Sequence, residues 1–316
     1  MEYGTEGRLV LRLYFIINPS AGNGRGNKKW EQLKNQLTVP YEIHWTQYAG
    51  HTVTIAKQIA QQSIQGDPVC IVAIGGDGTI HEVLNGAGCY EHVYIGAISA
   101  GSGNDFARGY VTFEHAQQIE QFLLSGKATT HDYGIVTFGE QKKYFVNNFG
   151  IGFDALVADK ANQSKLKKAL NRFQLGKLSY PYFVLSALFS FKPFTLTVIH
   201  NGIETKVEDV WFATVSNQPY FGGGMNLSPT SNSSDGQLEV TIVSNLSKWK
   251  FLLMFSSVFI AKHTKLKEVH QFTCRDITLE VSVPLLAHAD GEKQLLKEEG
   301  RIIHVTVHRN AWKLAK

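Results

Sequence analysis

Three glycine-rich stretches have the residue types needed to approach an anion closely: "NPSAGNGRG" from Asn18, "IGGDG" at 74–78 and "SAGSGND" at 99–105. Glycine has no Cβ, so main-chain amides in such a stretch can come up against a ligand that any other residue would hold off. Two of the three stretches also carry an aspartate, Asp77 and Asp105. A carboxylate beside a phosphate makes chemical sense when a cation lies between them. Mg²⁺ takes carboxylate and water oxygens and is usually shared with substrate phosphates. The pairing therefore points to metal-assisted phosphoryl transfer more than to simple phosphate binding. For one stretch alone an ordinary tight turn is the better reading; three on one sheet edge, two of them with an aspartate, favour the chemistry.

Familiar phosphate motifs do not account for these residues. No G-x-x-x-x-G-K-[ST] loop occurs. A G-x-G-x-x-A run does occur at Gly150–Ala155, but from Lys160 to Gly202 there is no Asp or Glu to bind a ribose. Two further Asp-Gly pairs, Asp290-Gly-Glu292 in "HADGE" and Asp235-Gly236 in "SNSSDGQLEV", read locally as plain β-turns. His304 and His308 alternate with apolar residues and so lie on the polar face of a strand, not on a zinc-binding helix. His51 is placed either to approach a nucleotide or to begin a helix.

Each stretch needs a strand before it and a helix after it. Leu9–Ile17 is predicted as a strand that leads into the first stretch and a helix from about Lys28. Val69–Ile74 leads into the second and a helix from Ile80, and Tyr94–Ile98 leads into the third and another helix. A strand at Tyr41–Thr46 and a helix at Thr52–Ser63 fall between the first two. Such alternation predicts a mainly parallel sheet, with ligands bound outside the carboxyl ends of its strands. Thr79 and Glu82 fit a capping box, and Gly86 is placed to end that helix.

After Thr130 the pattern changes. "TLTVIHNGIETKVE" predicts a type I′ hairpin at Asn201-Gly202, and more strand-like runs follow. Helical interruptions are expected at about Leu156–Phe191 and Leu246–Lys262. The fold class expected is α/β plus β. Residues 1–131 form an α/β nucleotide-binding domain, residues 132–316 form a β-sandwich-like domain with helical insertions, and the last residues are free to pack back on the first domain. The cleft between the two is the default place for a site.

Composition narrows the partners. With a net charge of +4 and 18% charged residues, the chain lacks the charge of a dedicated nucleic-acid binder. Three scattered cysteines have neither zinc spacing nor a disulfide pattern, which fits a reducing cytoplasm. The start of the chain does not read as a signal peptide, and apolar runs such as Phe251–Ala261 fall short of the roughly 20 residues that span a bilayer.

The residues together resemble the bacterial diacylglycerol kinase-like lipid kinases, which share a catalytic fold with sphingosine kinases. The resemblance rests on "NPSAG" at 18–22, Thr46 with the following "AGHT", "GGDGTIHEVLNG" at 75–86, "GSGNDFAR" at 101–108, "NNFGIGFDA" at 147–155, "DGQL" at 235–238 and "DGE" at 290–292. One departure is that Ser99 and Ser102 stand where the family commonly has proline and threonine. Ser102 keeps a hydroxyl; the missing proline leaves the turn less rigid.

The resemblance implies an ATP-dependent kinase acting on a lipid hydroxyl, diacylglycerol or a related lipid. It implies that Asn18, Thr46, Gly75, Gly76, Asp77, Gly78, Thr79, Gly101, Ser102 and Asn104 line the nucleotide site. Asp77, Asp105 and Asp132 would hold Mg²⁺ through ordered waters, and Asp290, supported by Glu292, would be the general base. Asp235 would belong to a separate structural metal site. A kinase for a soluble acceptor, such as an NAD kinase, and a non-catalytic nucleotide or lipid sensor are the alternatives.

A lipid substrate also gives a reason for residues 160–192, where Lys160, Lys165, Lys167, Lys168, Arg172, Lys177 and Lys192 are interleaved with aromatic residues and no acid. Such a segment can rest on an anionic membrane surface at the inner face, each basic side chain contributing about 1 kcal/mol. A packed helix pair with a solvated basic face fits equally well. Around 246–267 core packing is the better reading. A homodimer is left open.

Overall fold

The computed structural model describes residues 11–63, 67–163, 176–297 and 300–316. The chain forms two compact units, one of residues 1–131 with 310–316 and one of residues 132–309.

The first unit alternates β1 (Arg12–Ile17), α1 (Arg25–Lys34), β2 (Glu42–Trp45), α2 (His51–Gln62), β3 (Val69–Gly75), α3 (Asp77–Ala87) and β4 (Val93–Ser99), followed by α4 (Asp105–Gly109) and α5 (Ala116–Ser125). The strands pair in parallel in the order β2, β1, β3, β4. β3 sits centrally and reads "VCIVAIG", buried at every position, because helices cover both faces of a parallel sheet. Phe15, Ile17, Val72, Ile74, Trp30 and Phe122 belong to one core cluster. Lys313 and Leu314 return to this unit and pair in parallel with Tyr94 and Ile95 of β4.

Two local expectations give way. α3 begins at Asp77 with Gly76 as its N-cap and no side-chain cap, so Thr79 and Glu82 form no capping box. Their polar groups go to neighbouring loops instead: Thr79 Oγ1 accepts from Asn18 Nδ2 at 3.1 Å, and Glu82 accepts from the Gly50 amide at 3.0 Å. Gly86 does not end the helix, which runs on to Ala87 with Gly88 as C-cap. A Cβ on Gly86 would lie 2.5 Å from the Val53 carbonyl oxygen, so the glycine is there to let α2 and α3 pack closely.

The second unit is antiparallel. β5 (Ala128–Phe138) runs into it and pairs with β6 (Gln141–Phe145), and β7 (Asn148–Gly152) leads into α6 (Phe153–Gln163). After α7 (Gly176–Leu188) come β8 (Phe194–His200), β9 (Ile203–Ser216), the short pair β10 (Tyr220–Phe221) and β11 (Met225–Asn226), and β12 (Leu238–Ser244). α8 (Lys248–Val258) precedes β13 (Val269–Cys274), β14 (Asp276–Val281), β15 (Leu285–Ala289), β16 (Glu292–Leu296) and β17 (Ile302–Ala315). Asn201 and Gly202 have φ of 52° and 75°, as a type I′ turn between β8 and β9 requires. Apolar residues of β7, β8, β9, β12, β14 and β17 form one core, among them Phe149, Leu196, Val215, Val240, Leu279 and Val305. α6, α7 and α8 pack Phe153, Phe183 and Phe251 around Trp211 in another. Among the described residues no helix is long and apolar enough to cross a membrane.

Candidate functional site

In the first unit the three glycine stretches converge because consecutive strands end level. The Asn18 amide donates to Ile74 O at 2.9 Å, Thr46 to Ile17 O at 3.0 Å, and Ala100 to Gly75 O at 2.7 Å. The turns after β1, β2, β3 and β4 are thereby laced along one carboxyl edge. Only glycine fits where they touch. A Cβ on Gly101 would lie 2.7 Å from Gly76 Cα, and one on Gly22 would lie 2.1 Å from Ala100 O. Gly75 is closed in by Thr79, whose Oγ1 would be 2.4 Å from a Cβ there. Gly78 differs, since nothing lies within 4 Å of its Cβ direction.

Three of the four helix starts on this edge are capped by glycine, and α4 by Asn104. Gly24 precedes α1, Gly50 precedes α2 and Gly76 precedes α3, none with a side-chain cap. The first amides of a helix have no intrahelical acceptor. With no side-chain acceptor at the cap, those amides and the positive end of the helix dipole suit an anion. His51 begins α2, where its Nδ1 accepts from the Gln47 amide at 3.2 Å and its ring stacks on Tyr48.

The two aspartates tie this edge to the "GSGND" turn. Asp77 Oδ1 accepts from the Phe106 amide at 2.9 Å, and the buried Asp105 pairs with Arg108 at 2.9 Å. Asn104 is held in the left-handed region with φ of 56°. Its Oδ1 and Ser99 Oγ are buried without a hydrogen-bond partner among the described residues. Ser102 is exposed and Thr46 half-buried.

These residues fit a hydrated Mg²⁺. The Asp77 carboxylate is fixed through one oxygen, leaving the other geometry of an acceptor-only group for metal-bound water. Among the described residues no three His, Cys, Asp or Glu side chains gather into a direct cage. Mg²⁺ commonly keeps several waters and is held through one or two carboxylates together with substrate phosphates.

The remaining expected residues lie in the second unit. The Asp132 carboxylate accepts from the Gly236 amide at 2.7 Å, while its own amide donates to Ser233 O at 2.7 Å. It thus secures the turn that carries Asp235, which is exposed and accepts from the Gln237 amide at 2.9 Å. Asp290 sits in the turn between β15 and β16. Its Oδ2 accepts from Val146 N at 2.8 Å, and its Oδ1 from Asn147 N and Asn148 N, each at 2.9 Å. Glu292 begins β16 opposite Ala289 and is exposed.

Sequence reasoning missed one buried pair near that turn. His288 Nε2 lies 3.2 Å from Asp154 Oδ2. Both residues were in view, in "HADGE" and in the rejected G-x-G-x-x-A run. A Cβ on Gly150 would lie 2.0 Å from Asp154 Oδ2, so the glycine makes room for a carboxylate of this chain, not for a pyrophosphate.

The chain is similar to known proteins over nearly all its length. Residues 12–136 match the diacylglycerol kinase catalytic domain. Residues 147–297 match the YegS C-terminal NAD kinase beta sandwich-like domain. The chain is 36% identical over 288 residues to "Putative lipid kinase YtlR" of Bacillus subtilis, covering 88% of this chain and 92% of that protein. It is 27% identical to the diacylglycerol kinase of Mycobacterium tuberculosis, over 88% and 87% of the two chains. A diacylglycerol kinase structure from Bacillus anthracis aligns with a TM-score of 0.68 at 18% identity, over 96% of both chains. Yeast NADH kinase aligns with a TM-score of 0.51 at 11% identity, over 96% of this chain and 82% of that one, a likeness of fold alone.

Proposed function

The chain belongs to the diacylglycerol kinase-like lipid kinases, and we propose that it transfers the γ-phosphate of ATP to the hydroxyl of diacylglycerol or a related lipid, using Mg²⁺. The observation that carries this reading is the edge of the first unit, where glycine turns and glycine-capped helix starts expose amides around Asp77 and Asp105. Amides from Gly76 to Gly78 bind the phosphates, and Asn18, Thr46, Thr79, Gly101, Ser102 and Asn104 line the nucleotide. Mg²⁺, when bound, neutralises charge on the transferring phosphoryl group. Asp77 and Asp105 would hold its waters, and Asp132 would be the further carboxylate for it. Asp235 serves a separate structural metal site. Amides already oriented in the free protein need no reorganisation as charge develops.

In the acceptor half of the reaction, Asp290 takes the proton of the lipid hydroxyl and Glu292 supports it. The three amides on Asp290 fix its direction, which matters most in a loose transition state where positioning supplies most of the catalysis.

Lipid, not a soluble acceptor, is favoured by an exposed apolar face on the second unit. Trp249 and Leu253 of α8 are each 75% exposed, and Phe189, just after α7, is 65% exposed. Lys248 Nζ reaches the Phe189 carbonyl at 3.1 Å and sits over its ring. No acid occurs between Leu246 and Lys267, so this face suits peripheral contact with an anionic leaflet. Core packing, expected for this helix, holds for Phe251, Met254 and Val258 but not for Trp249 or Leu253. Lys165, Lys167, Lys168 and Arg172 lie outside the described residues, and nothing of the Lys177 side chain is described.

The assignment of the base is tested with Asp290→Asn in mixed micelles of lipid, ATP and Mg²⁺. Loss of a general base lowers kcat by about 10²- to 10⁴-fold. Full activity in a folded Asp290→Asn enzyme would remove Asp290 from that role.

A further inference from the structure

The turn that carries Asp290 is held from two sides. β15 and β16 pair from Leu285↔Leu296 to Ala289↔Glu292, leaving Asp290 and Gly291 as a two-residue loop with φ of 49° and 85°. On one side, the Asp290 amide donates to Asn148 O at 2.9 Å and its carboxylate takes the amides of residues 146–148. On the other side stands His288, 1% exposed, paired in register with Gly150 of β7.

His288 has a defined orientation. Its Nδ1 accepts from the Gly291 amide at 3.3 Å, which requires the ring proton to be on Nε2. Nε2 then donates to Asp154 Oδ2 at 3.2 Å. The Asp154 carboxylate is itself buried at the start of α6, where Oδ1 accepts from the Ala155 amide at 2.8 Å. Phe221 stacks on the imidazole at 5.0 Å with an interplanar angle of 2°. The absent Cβ of Gly150 leaves the space these two side chains fill.

We infer that His288, oriented by Asp154, is a positioning residue that holds the Asp290 turn through the Gly291 amide during proton transfer. This rests on Asp290 being the general base. When the lipid hydroxyl gives its proton to Asp290, the carboxylate becomes a weaker acceptor for the amides of 146–148. The contact from His288 to Gly291 does not involve that carboxylate, so it keeps the turn in register while the proton is held.

The test uses three substitutions at His288 in the full chain, assayed with ATP, Mg²⁺ and lipid in mixed micelles, with thermal unfolding as the check on folding. His288→Phe keeps the ring that stacks on Phe221 and removes both hydrogen bonds. His288→Asn puts an acceptor near the Nδ1 position and abandons Asp154. His288→Gln puts a donor near the Nε2 position and abandons Gly291. The expected result is a fall in kcat of roughly 10- to 100-fold for Phe and Gln, with KM for ATP and lipid within about threefold. Asn should recover most of kcat. A folded Phe variant with the kcat of the wild type, an Asn variant no better than Gln, or losses that follow melting temperature instead of this order would each overturn the inference. Asp290→Asn is run beside them. If it keeps full activity, the base assignment itself fails and takes this inference with it; if it is inactive while His288→Phe is fully active, only the role of His288 is wrong.

Discussion

Gly78→Ala separates a turn that is merely tight from one that faces a ligand. Gly78 is the second residue of α3, its φ is not in the left-handed region, and nothing lies within 4 Å of where a Cβ would stand. On fold grounds alone the substitution is favourable. Replacing glycine by alanine where the backbone tolerates it stabilises by about 0.4–1 kcal/mol, and a change of that size raises Tm by roughly 0.5–1.5 °C in a chain of this length. Catalysis should move the other way. In a helix the Cα–Cβ bond leans toward the N-terminus, so the new methyl enters the space in front of the first amides. Carbon and its neighbours are comfortable at about 3.5–4.0 Å, whereas an amide-bound phosphate oxygen sits at about 2.9 Å from nitrogen. The phosphate would be held off by something on the order of 1 Å, a displacement able to cost about 10²-fold. The assay is kcat/KM for ATP at saturating lipid, with Tm by circular dichroism on the same samples. A stable variant with the kcat/KM of the wild type would mean that no phosphate meets this amide, and the reading of the glycine edge would be wrong.

Four other substitutions or conditions probe the packing, the buried groups and the exposed face. Gly86→Ala should destabilise by about 1–3 kcal/mol, seen as a lower Tm, because its Cβ would meet the Val53 carbonyl at 2.5 Å and Ala56 Cβ at 2.9 Å. Glu239 is buried, and burial raises its carboxyl above the usual range despite the Thr230 hydroxyl bonded to it. A raised folded-state pKa means the native state keeps a proton that the unfolded chain gives up. Stability should therefore fall, relative to a Glu239→Gln variant, as pH rises from about 4.5, the ordinary value, toward neutrality. Paired melting curves across that range check the sign, and a parallel pH dependence would contradict it. Of the three thiols only Cys89 is exposed, while burial pushes the Cys274 thiol up to about 12, so a thiol reagent should titrate one group natively and three after unfolding. Trp249→Ala with Leu253→Ala should leave Tm within about 1 °C, because both side chains are exposed. Co-sedimentation with phosphatidylglycerol vesicles should drop by roughly tenfold or more, from the loss of about 1.5–3 kcal/mol per buried apolar side chain; undiminished binding would free this face from any membrane role.

How much of this could be read from residue order depended on how local the cause was. The parallel α/β alternation and the Asn201-Gly202 hairpin follow from patterns a few residues long, and the structure has them. The convergence of glycine stretches was legible because strands of a parallel sheet end at one edge. The fate of Thr79 and Glu82 was not. Both fit a cap by spacing, yet each is drawn to a loop brought near only by sheet pairing, Asn18 in one case and Gly50 in the other. Gly86 was misread for the same reason, since the residues that require it belong to α2. The Asp154–His288 pair is farther still, 134 residues apart, and exists because β7 and β15 pair in one register. Register is not visible in either strand alone. A glycine motif that failed as a dinucleotide fingerprint was a clue that something else fills the space.

The central claim is transfer of phosphate to lipid, and its most direct test is incubation of the protein with γ-labelled ATP, Mg²⁺ and mixed micelles of diacylglycerol, phosphatidylglycerol or a sphingoid base, beside a tube with soluble NAD as acceptor. Label is expected in an organic-extractable phospholipid, dependent on Mg²⁺ and absent with Asp290→Asn, and none on NAD. Label on NAD, or no labelled lipid from any of the micelles, would contradict it.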